Sequence, residues 1–178
     1  MKGTDAYLLL KAEFTGPARR AGEGFLVYDH VNPLGQPRKA WQYLPGQRRV
    51  KLAPELAYDT PTAGTAGAGT YDDAFVFNGA LDRYDWKLVG KREMIVPYNE
   101  YKLTFNPGKR ENVAKKSHVN PDLQRWELHR VWVVEATLKP GKRHIYHKRT
   151  FYVDEDSWAA IASDQYDARG QLYKGTYS

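Results

Sequence analysis

Residues 71–90, YDDAFVFNGALDRYDWKLVG, set four aspartates, Asp72, Asp73, Asp82 and Asp85, among aromatic side chains in one short window. Carboxylates in such company serve three chemistries. A pair held about 5–10 Å apart in unlike environments cleaves glycosides. Carboxylates at alternating positions around a glycine hold calcium. Carboxylates beside turn residues accept backbone N–H groups. Asp72 and Asp73 are adjacent, so in an extended chain they point apart. Asp82 and Asp85 flank Arg83 and Tyr84, Asn78-Gly79 is a turn signal, and EF-hand spacing is absent. The window is expected to anchor turns and loops. A hydrolase using this Asp cluster is the lower alternative.

The other reactive residues give less. His30, His118, His129, His144 and His147 contain no His-Glu-x-x-His pattern. A zinc site would need His129 across from His144 or His147, with Glu127 or Glu135. Solvent-facing strand histidines are the expectation, and no metal is assigned. The absence of Cys removes disulfides, thiolate zinc sites and cysteine nucleophiles. Gly-x-Ser-x-Gly, Walker A and Gly-x-Gly-x-x-Gly are missing too. No catalytic residue and no cofactor is assigned. Arg130 stands out because it lies among Trp126, Leu128, Trp132 and Val134 on an apolar strand face. A buried Arg needs a carboxylate or an aromatic stack. An internal ion pair, or a Trp-stacked Arg at a sheet edge, is the simpler reading, and an anchor for an anionic head group inside a cavity is the functional one.

The elements that must position these residues are strands. With 178 residues, 42% of them hydrophobic, the chain is long enough for a real core. Thirteen Tyr and five Trp favour strands, while ten Pro and 15 Gly imply many turns. The net charge of +6 permits contact with anionic lipid, nucleic acid or an acidic partner. The basic residues are spread in short runs and no nucleic-acid motif accompanies them, so no nucleic-acid partner is assigned. No apolar run approaches the ~20 residues of a membrane-spanning helix. The first residues do not read as a secretory signal.

Period-2 alternation sets Leu8, Leu10, Ala12 and Phe14 on one face of a first strand. Strands at 24–28, 39–43 and 48–52 follow, with a type II turn expected at Leu44-Pro45-Gly46-Gln47. Within residues 53–80 the stretch TPTAGTAGAGT has no strand or helix period and is expected as an exposed, mobile loop. A strand resumes at Trp86, another is expected at 101–105, and 106–123 forms a second long loop. The strongest strand is 126–138, WELHRVWVVEATL. Pro140-Gly141 then turns the chain into a strand at 144–153. A last hairpin pairs 158–163 with 171–177, and Asp156 or Ser157 offers a cap for a short helix at 157–163. The fold class expected is mainly β: a large curved antiparallel sheet or half-barrel with few short helices and two long loops. The chain reads as one antiparallel β domain over 1–178.

Three long stretches, RKAWQYLPGQRRVKLAPELAYDTP, YDDAFVFNGALDRYDWKLVGKREMIVPYNEYKL and HVNPDLQRWELHRVWVVEATLKPGKRHIYHKRTFYVDEDSW, resemble the bacterial domain-of-unknown-function family thirteen twenty-nine, described as outer-membrane lipoprotein-sorting proteins. The likeness runs from about Tyr7 to Tyr173. It implies that the chain is the C-terminal part of a longer protein, with a fold similar to the lipoprotein carriers LolA and LolB and a periplasmic setting. It also implies partners: lipid or lipoprotein acyl chains, and an envelope exporter of the resistance-nodulation-division type. Beside it, the residues suggest how a carrier would work. An aromatic sheet face shelters an apolar ligand, at about 25 cal/mol per Å² of apolar area removed from water. The expected cavity residues are Trp41, Trp86, Leu88, Met94, Trp126, Leu128, Trp132 and Val134, with Arg130 for a head group. The second class of function is a non-catalytic interaction or scaffold domain.

Overall fold

The computed structural model describes residues 5–62, 65, 67–105, 108 and 110–178. Contacts divide the chain into two compact units. Unit 1 comprises Met1–Tyr84 with Lys139–Ile145, and unit 2 comprises Asp85–Leu138 with Tyr146–Ser178.

Unit 1 is built on β1 (Ala6–Glu13), β2 (Gly24–His30), β3 (Lys39–Leu44) and β4 (Arg49–Leu52), which pair antiparallel in chain order. Side chains alternate across a strand, so the register decides what each face holds. Leu10 opposes Val27, and Val27 opposes Ala40, which puts these three on one face. Val27 and Ala40 cluster there with Ala53 and Leu56, flanked by Phe25 and Tyr71. The opposite face carries Lys11, Leu26, Trp41 and Leu52 in one cross-strand row, and Glu13, Gly24, Tyr43 and Val50 in the next.

The β3–β4 connection is not the type II turn expected. Pro45–Gln47 form a 3₁₀ turn, and the left-handed position falls on Arg48, at φ 50°, with its N–H donating to Pro45 O at 3.1 Å. Leu44 pairs with Arg49, so the loop holds four residues instead of the two of the expected turn, and loops of that length form around a type I turn. The segment 53–80 around the expected TPTAGTAGAGT loop carries local structure. It contains 3₁₀ turns at Pro54–Ala57 and Tyr71–Asp73 and a bridge between Pro61 and Thr70. Leu56, Ala57, Thr70, Asp72 and Val76 are buried, because this segment covers the packed face of the sheet. Residues 63, 64 and 66 of the glycine-rich run lie outside the described residues.

Unit 2 begins with the remainder of β5 (Tyr84–Pro97), followed by the short helix α1 (Tyr101–Thr104). The expected strand at 101–105 is therefore helical. Tyr101 and Phe105 stack at 6.2 Å, an i, i+4 contact that only a helical turn provides. The region expected as a second long loop carries α2 (Arg110–Val113), a two-stranded ladder of β6 (Ala114–Lys115) and β7 (His118–Val119), and a 3₁₀ turn at Pro121–Leu123 capped by Asn120. Residues 106, 107 and 109 of that expected loop lie outside the described residues.

The strands β8 (Trp126–Leu138), β9 (Lys148–Asp154), β10 (Ala160–Tyr166) and β11 (Leu172–Tyr177) complete a sheet ordered β11-β10-β9-β8-β5. The bounds of β8 match the strand expected from alternation. The Lys139–Lys142 turn also forms as expected, with Gly141 at φ 78° and the Lys142 N–H on Lys139 O at 3.1 Å. The return strand starts later than expected, at Lys148, because 139–145 leaves the hairpin to join unit 1. The helix proposed at 157–163 does not form. Asp154 holds the turn instead, and β10 begins at Ala160. Val96, Val131, Tyr152 and Ile161 form the core on one side of this sheet.

Candidate functional site

The face of the unit 1 sheet that carries Trp41 holds a groove of about 610 Å³, lined by Leu26, Trp41, Tyr43 and Val50, with Lys11 and Glu13 among its borders. Its position follows from the register. Leu26 and Trp41 are cross-strand neighbours, as are Tyr43 and Val50, so four large apolar side chains stand side by side. Val50 and Leu52 remain exposed, as does Leu9 farther along β1. The Tyr28 ring meets the Trp41 indole edge-on at 5.3 Å and fixes its tilt. The volume falls within the roughly 300–1,000 Å³ of small-ligand sites.

The other expected cavity residues stand on the sheet of unit 2. Trp86 stacks on Phe151 at 5.7 Å, and Val134 opposes Phe151 across the β8–β9 pair. Trp132 stacks with Trp158 at 6.5 Å and carries the Lys91 ammonium 4.0 Å from its ring centre. Met94 and Trp126 border a recess of about 340 Å³ beside Tyr152 and Tyr177. Leu88 and Leu128 are exposed. Arg130 has a side chain 61% exposed and pairs with Glu155 at 3.3 Å. An ion pair forms, but on an exposed stretch of β8 rather than internally, and β8 lies between β9 and β5 rather than at the sheet edge.

The aspartates and histidines reveal contacts that sequence reasoning missed. Asp72 is buried in unit 1. Its Oδ1 accepts from Thr70 Oγ1 at 2.5 Å, and its Oδ2 lies 2.9 Å from His144 Nε2. His144 comes from the 139–145 segment, which further bonds hold, among them Lys139 Nζ donating to Asp82 O at 3.0 Å. The Lys139 N–H donates to Arg83 O, the Arg83 guanidinium donates to Arg143 O at 2.6 Å, and the Ile145 N–H donates to Asp59 at 2.9 Å. Gly79 is needed beside this pair, since a Cβ there would lie 2.6 Å from the Cβ of Asp72. Asp73 closes a capping box with Thr70, and Asp82 accepts from Tyr58 Oη. Asp85 is exposed on β5. No two of these four carboxylates border the same recess among those described above and below.

A second Asp–His pair lies in unit 2. His129 Nδ1 is 2.8 Å from Asp154 Oδ1, and the Asp154 Oδ2 accepts from the Ser157 N–H at 2.9 Å and from Ser157 Oγ at 2.7 Å. The hydrogen bond to Asp154 raises the His129 pKa above its ordinary value, against the opposing effect of burial, and Glu127 adds to the rise. Burial works to raise the Asp154 carboxyl, but bonds from Ser157 and His129 outweigh it and hold the group below its usual range. One donor atom each from His129, Asp154 and Asp156 lie within 4.8 Å of one another. Both Asp154 oxygens are already committed, however, so the trio is read as an anchor for the turn after β9. The default of solvent-facing histidines is corrected at three places: His144, His129 and His30, which is also buried. Each stands within hydrogen-bonding reach of, or next to, an aspartate distant in sequence or on the same strand.

Comparison with known proteins adds what the geometry alone does not. The uncharacterized protein PA3922 of Pseudomonas aeruginosa is 50% identical over 173 residues, covering 97% of this chain and 38% of that protein. The crystal structure of a putative outer membrane lipoprotein-sorting protein domain from Vibrio parahaemolyticus aligns with a TM-score of 0.53 and 18% identity, over 91% of this chain and 52% of that one. A DUF1329 family protein from Desulfovibrio piger aligns with a TM-score of 0.54 and 21% identity, over 94% of this chain and 55% of that one. These structures share the antiparallel β fold, and the chain spans about half or less of each relative's length. The family model for proteins of unknown function DUF1329 matches residues 1–178, and the chain belongs to that family.

Proposed function

We propose that this chain is a carrier-type module that holds an apolar ligand, lipid or lipoprotein acyl chains, against a β-sheet without catalysing a reaction. The observation that carries the proposal is the groove at Trp41. A sheet face with Leu26, Trp41, Tyr43 and Val50 in adjacent rows leaves apolar area in water that an acyl chain would cover. At about 25 cal/mol per Å², such coverage is the main driving force, and it is non-directional, which suits a ligand with no polar features along its chain. Lys11 beside the groove offers a cation to a phosphate-bearing head group. The likeness to a putative lipoprotein-sorting domain supports the same reading and the periplasmic setting that goes with it. Exchange with an envelope exporter of the resistance-nodulation-division type is the partner half of the proposal, and its support is the family resemblance.

The proposal is tested by native mass spectrometry of gently purified protein, with Val50→Asp as the comparison. Val50 is exposed, so the substitution leaves the core untouched. Co-purifying lipophile on the wild-type chain, lost in Val50→Asp, supports the groove. Equal lipophile on both proteins, or none on the wild type after incubation with phospholipid, removes it.

A further inference from the structure

Unit 1 holds two recesses besides the Trp41 groove. One, of about 330 Å³, is apolar, with Leu8, Leu10, Val27, Leu56 and Tyr71 among its walls. The other, of about 270 Å³, is polar, with Tyr7, His30 and Gly79 along its border. Asp29, Arg38 and Asn78 border both, so the two recesses adjoin at a charged wall.

The polar recess contains a side chain that the fold leaves unfinished. His30 is 7% exposed, and its Nδ1 finds no hydrogen-bond partner among the described residues. Buried polar atoms without partners are uncommon, and each calls for a reason. Arg38, by contrast, is fixed. Its Nε and Nη2 donate to the Asp29 carboxylate at 2.5 and 2.8 Å, and its Nη1 donates to Leu56 O at 3.0 Å. These bonds use three of the five N–H donors of a guanidinium. They also neutralise Asp29, so an incoming anion would not meet an uncompensated carboxylate. At the apolar recess, Phe75 and Val76 both adopt left-handed backbone, at φ 54° and 70°. A β-branched residue there is a conformational outlier, and such strain gathers at ligand clamps. The result is that Phe75, 78% exposed, stands at the border of the apolar recess.

We propose that the two recesses form one site for a single-chain carboxylate amphiphile of the fatty-acid class, with its chain along Leu8, Leu10 and Phe75 and its carboxylate against His30 Nδ1 and Arg38. None of these side chains lines the Trp41 groove, so the site stands or falls separately from it. The carboxylate accepts from the imidazole and from the remaining guanidinium donors, which are charge-assisted bonds and stronger than neutral ones. The chain covers the apolar walls.

Calorimetric titration with submicellar dodecanoate and dodecyltrimethylammonium tests this. The wild-type chain should bind dodecanoate, and bind the cation at least about tenfold more weakly. His30→Phe keeps a flat ring in the buried position while removing the nitrogen. Leu10→Glu sets a negative charge at a half-exposed wall position where the fold tolerates it. Each should weaken dodecanoate by about tenfold, whereas Trp41→Ala should leave it unchanged. The proposal is overturned if the wild type does not bind dodecanoate, if the cation binds equally well, or if both His30→Phe and Leu10→Glu bind as the wild type does. It is also overturned if Trp41→Ala abolishes dodecanoate binding, which would move the ligand to the groove.

Discussion

The two sheets handle their faces differently. In unit 2 the middle strand β9 buries Arg149, Thr150, Phe151 and Tyr152 in succession, so both faces of the sheet are covered at its centre. In unit 1 burial on the paired strands alternates: Val27 and Ala40 are buried on one face, while Leu26 and Trp41 on the other remain partly open. A sheet covered on both faces is structure. A sheet with one face covered and the other apolar has area left to offer a ligand. The same contrast recurs in the two Asp–His pairs. Asp72–His144 is enclosed and fastens a hairpin tip into unit 1, whereas His129 lies beside Glu127 as well as Asp154 and responds to pH.

Breaking the enclosed pair should have the largest effect. Asp72→Ala removes the acceptor for Thr70 and the partner of His144, and should cost about 3 kcal/mol in urea denaturation. Gly79→Ala, which forces a Cβ against Asp72, should cost about 2 kcal/mol. If either proves neutral, the pair does not hold the 139–145 segment.

The pair in unit 2 should show instead as a pH dependence. His129 has its folded pKa raised, so its contribution is fully present below its ordinary value of 6.5 and is lost as pH rises through the folded value. Asp154 has its folded pKa lowered, so its contribution is present above its ordinary value of 3.8 and is lost as pH falls through the folded value. Thermal melting should therefore be highest between those two ordinary values and decline above pH 6.5. His129→Gln should flatten the decline on the alkaline side. An unchanged slope would show that another group sets it. The smallest effect is expected at Arg130→Ala. This exposed ion pair with Glu155 should leave the midpoint of the same denaturation measurement unchanged.

How much of this was legible in the sequence depends on the range of the interaction. β8 was readable because its alternation is local and long, and Pro140-Gly141 because a turn depends on its own residues. The helix at Tyr101–Thr104 was misread because Tyr101, Leu103 and Phe105 alternate like a strand, while the deciding contact is the i, i+4 stack. His144 could not be assigned, since its partner is 72 residues away and reaches it only when the β8–β9 connection leaves its own sheet. His30 had a weak signal: it ends the apolar run of β2 beside Asp29, with Arg38 eight residues later. Of the expected cavity residues, Trp41 borders the apolar groove, while Trp86 and Trp132 spend their rings on Phe151 and Trp158. Hydrophobicity identified all of these, but only cross-strand register separates an uncovered face from a filled one.

The central claim is that an acyl chain lies along the Trp41 face. Photocrosslinking with a phosphatidylethanolamine that carries a diazirine on its acyl chain, followed by peptide mapping, tests it most directly. The account predicts labels concentrated on Leu26, Trp41, Tyr43 and Val50, displaced by excess unlabelled lipid. Labels confined to the five-stranded sheet, or spread over the surface in proportion to exposure, would contradict it.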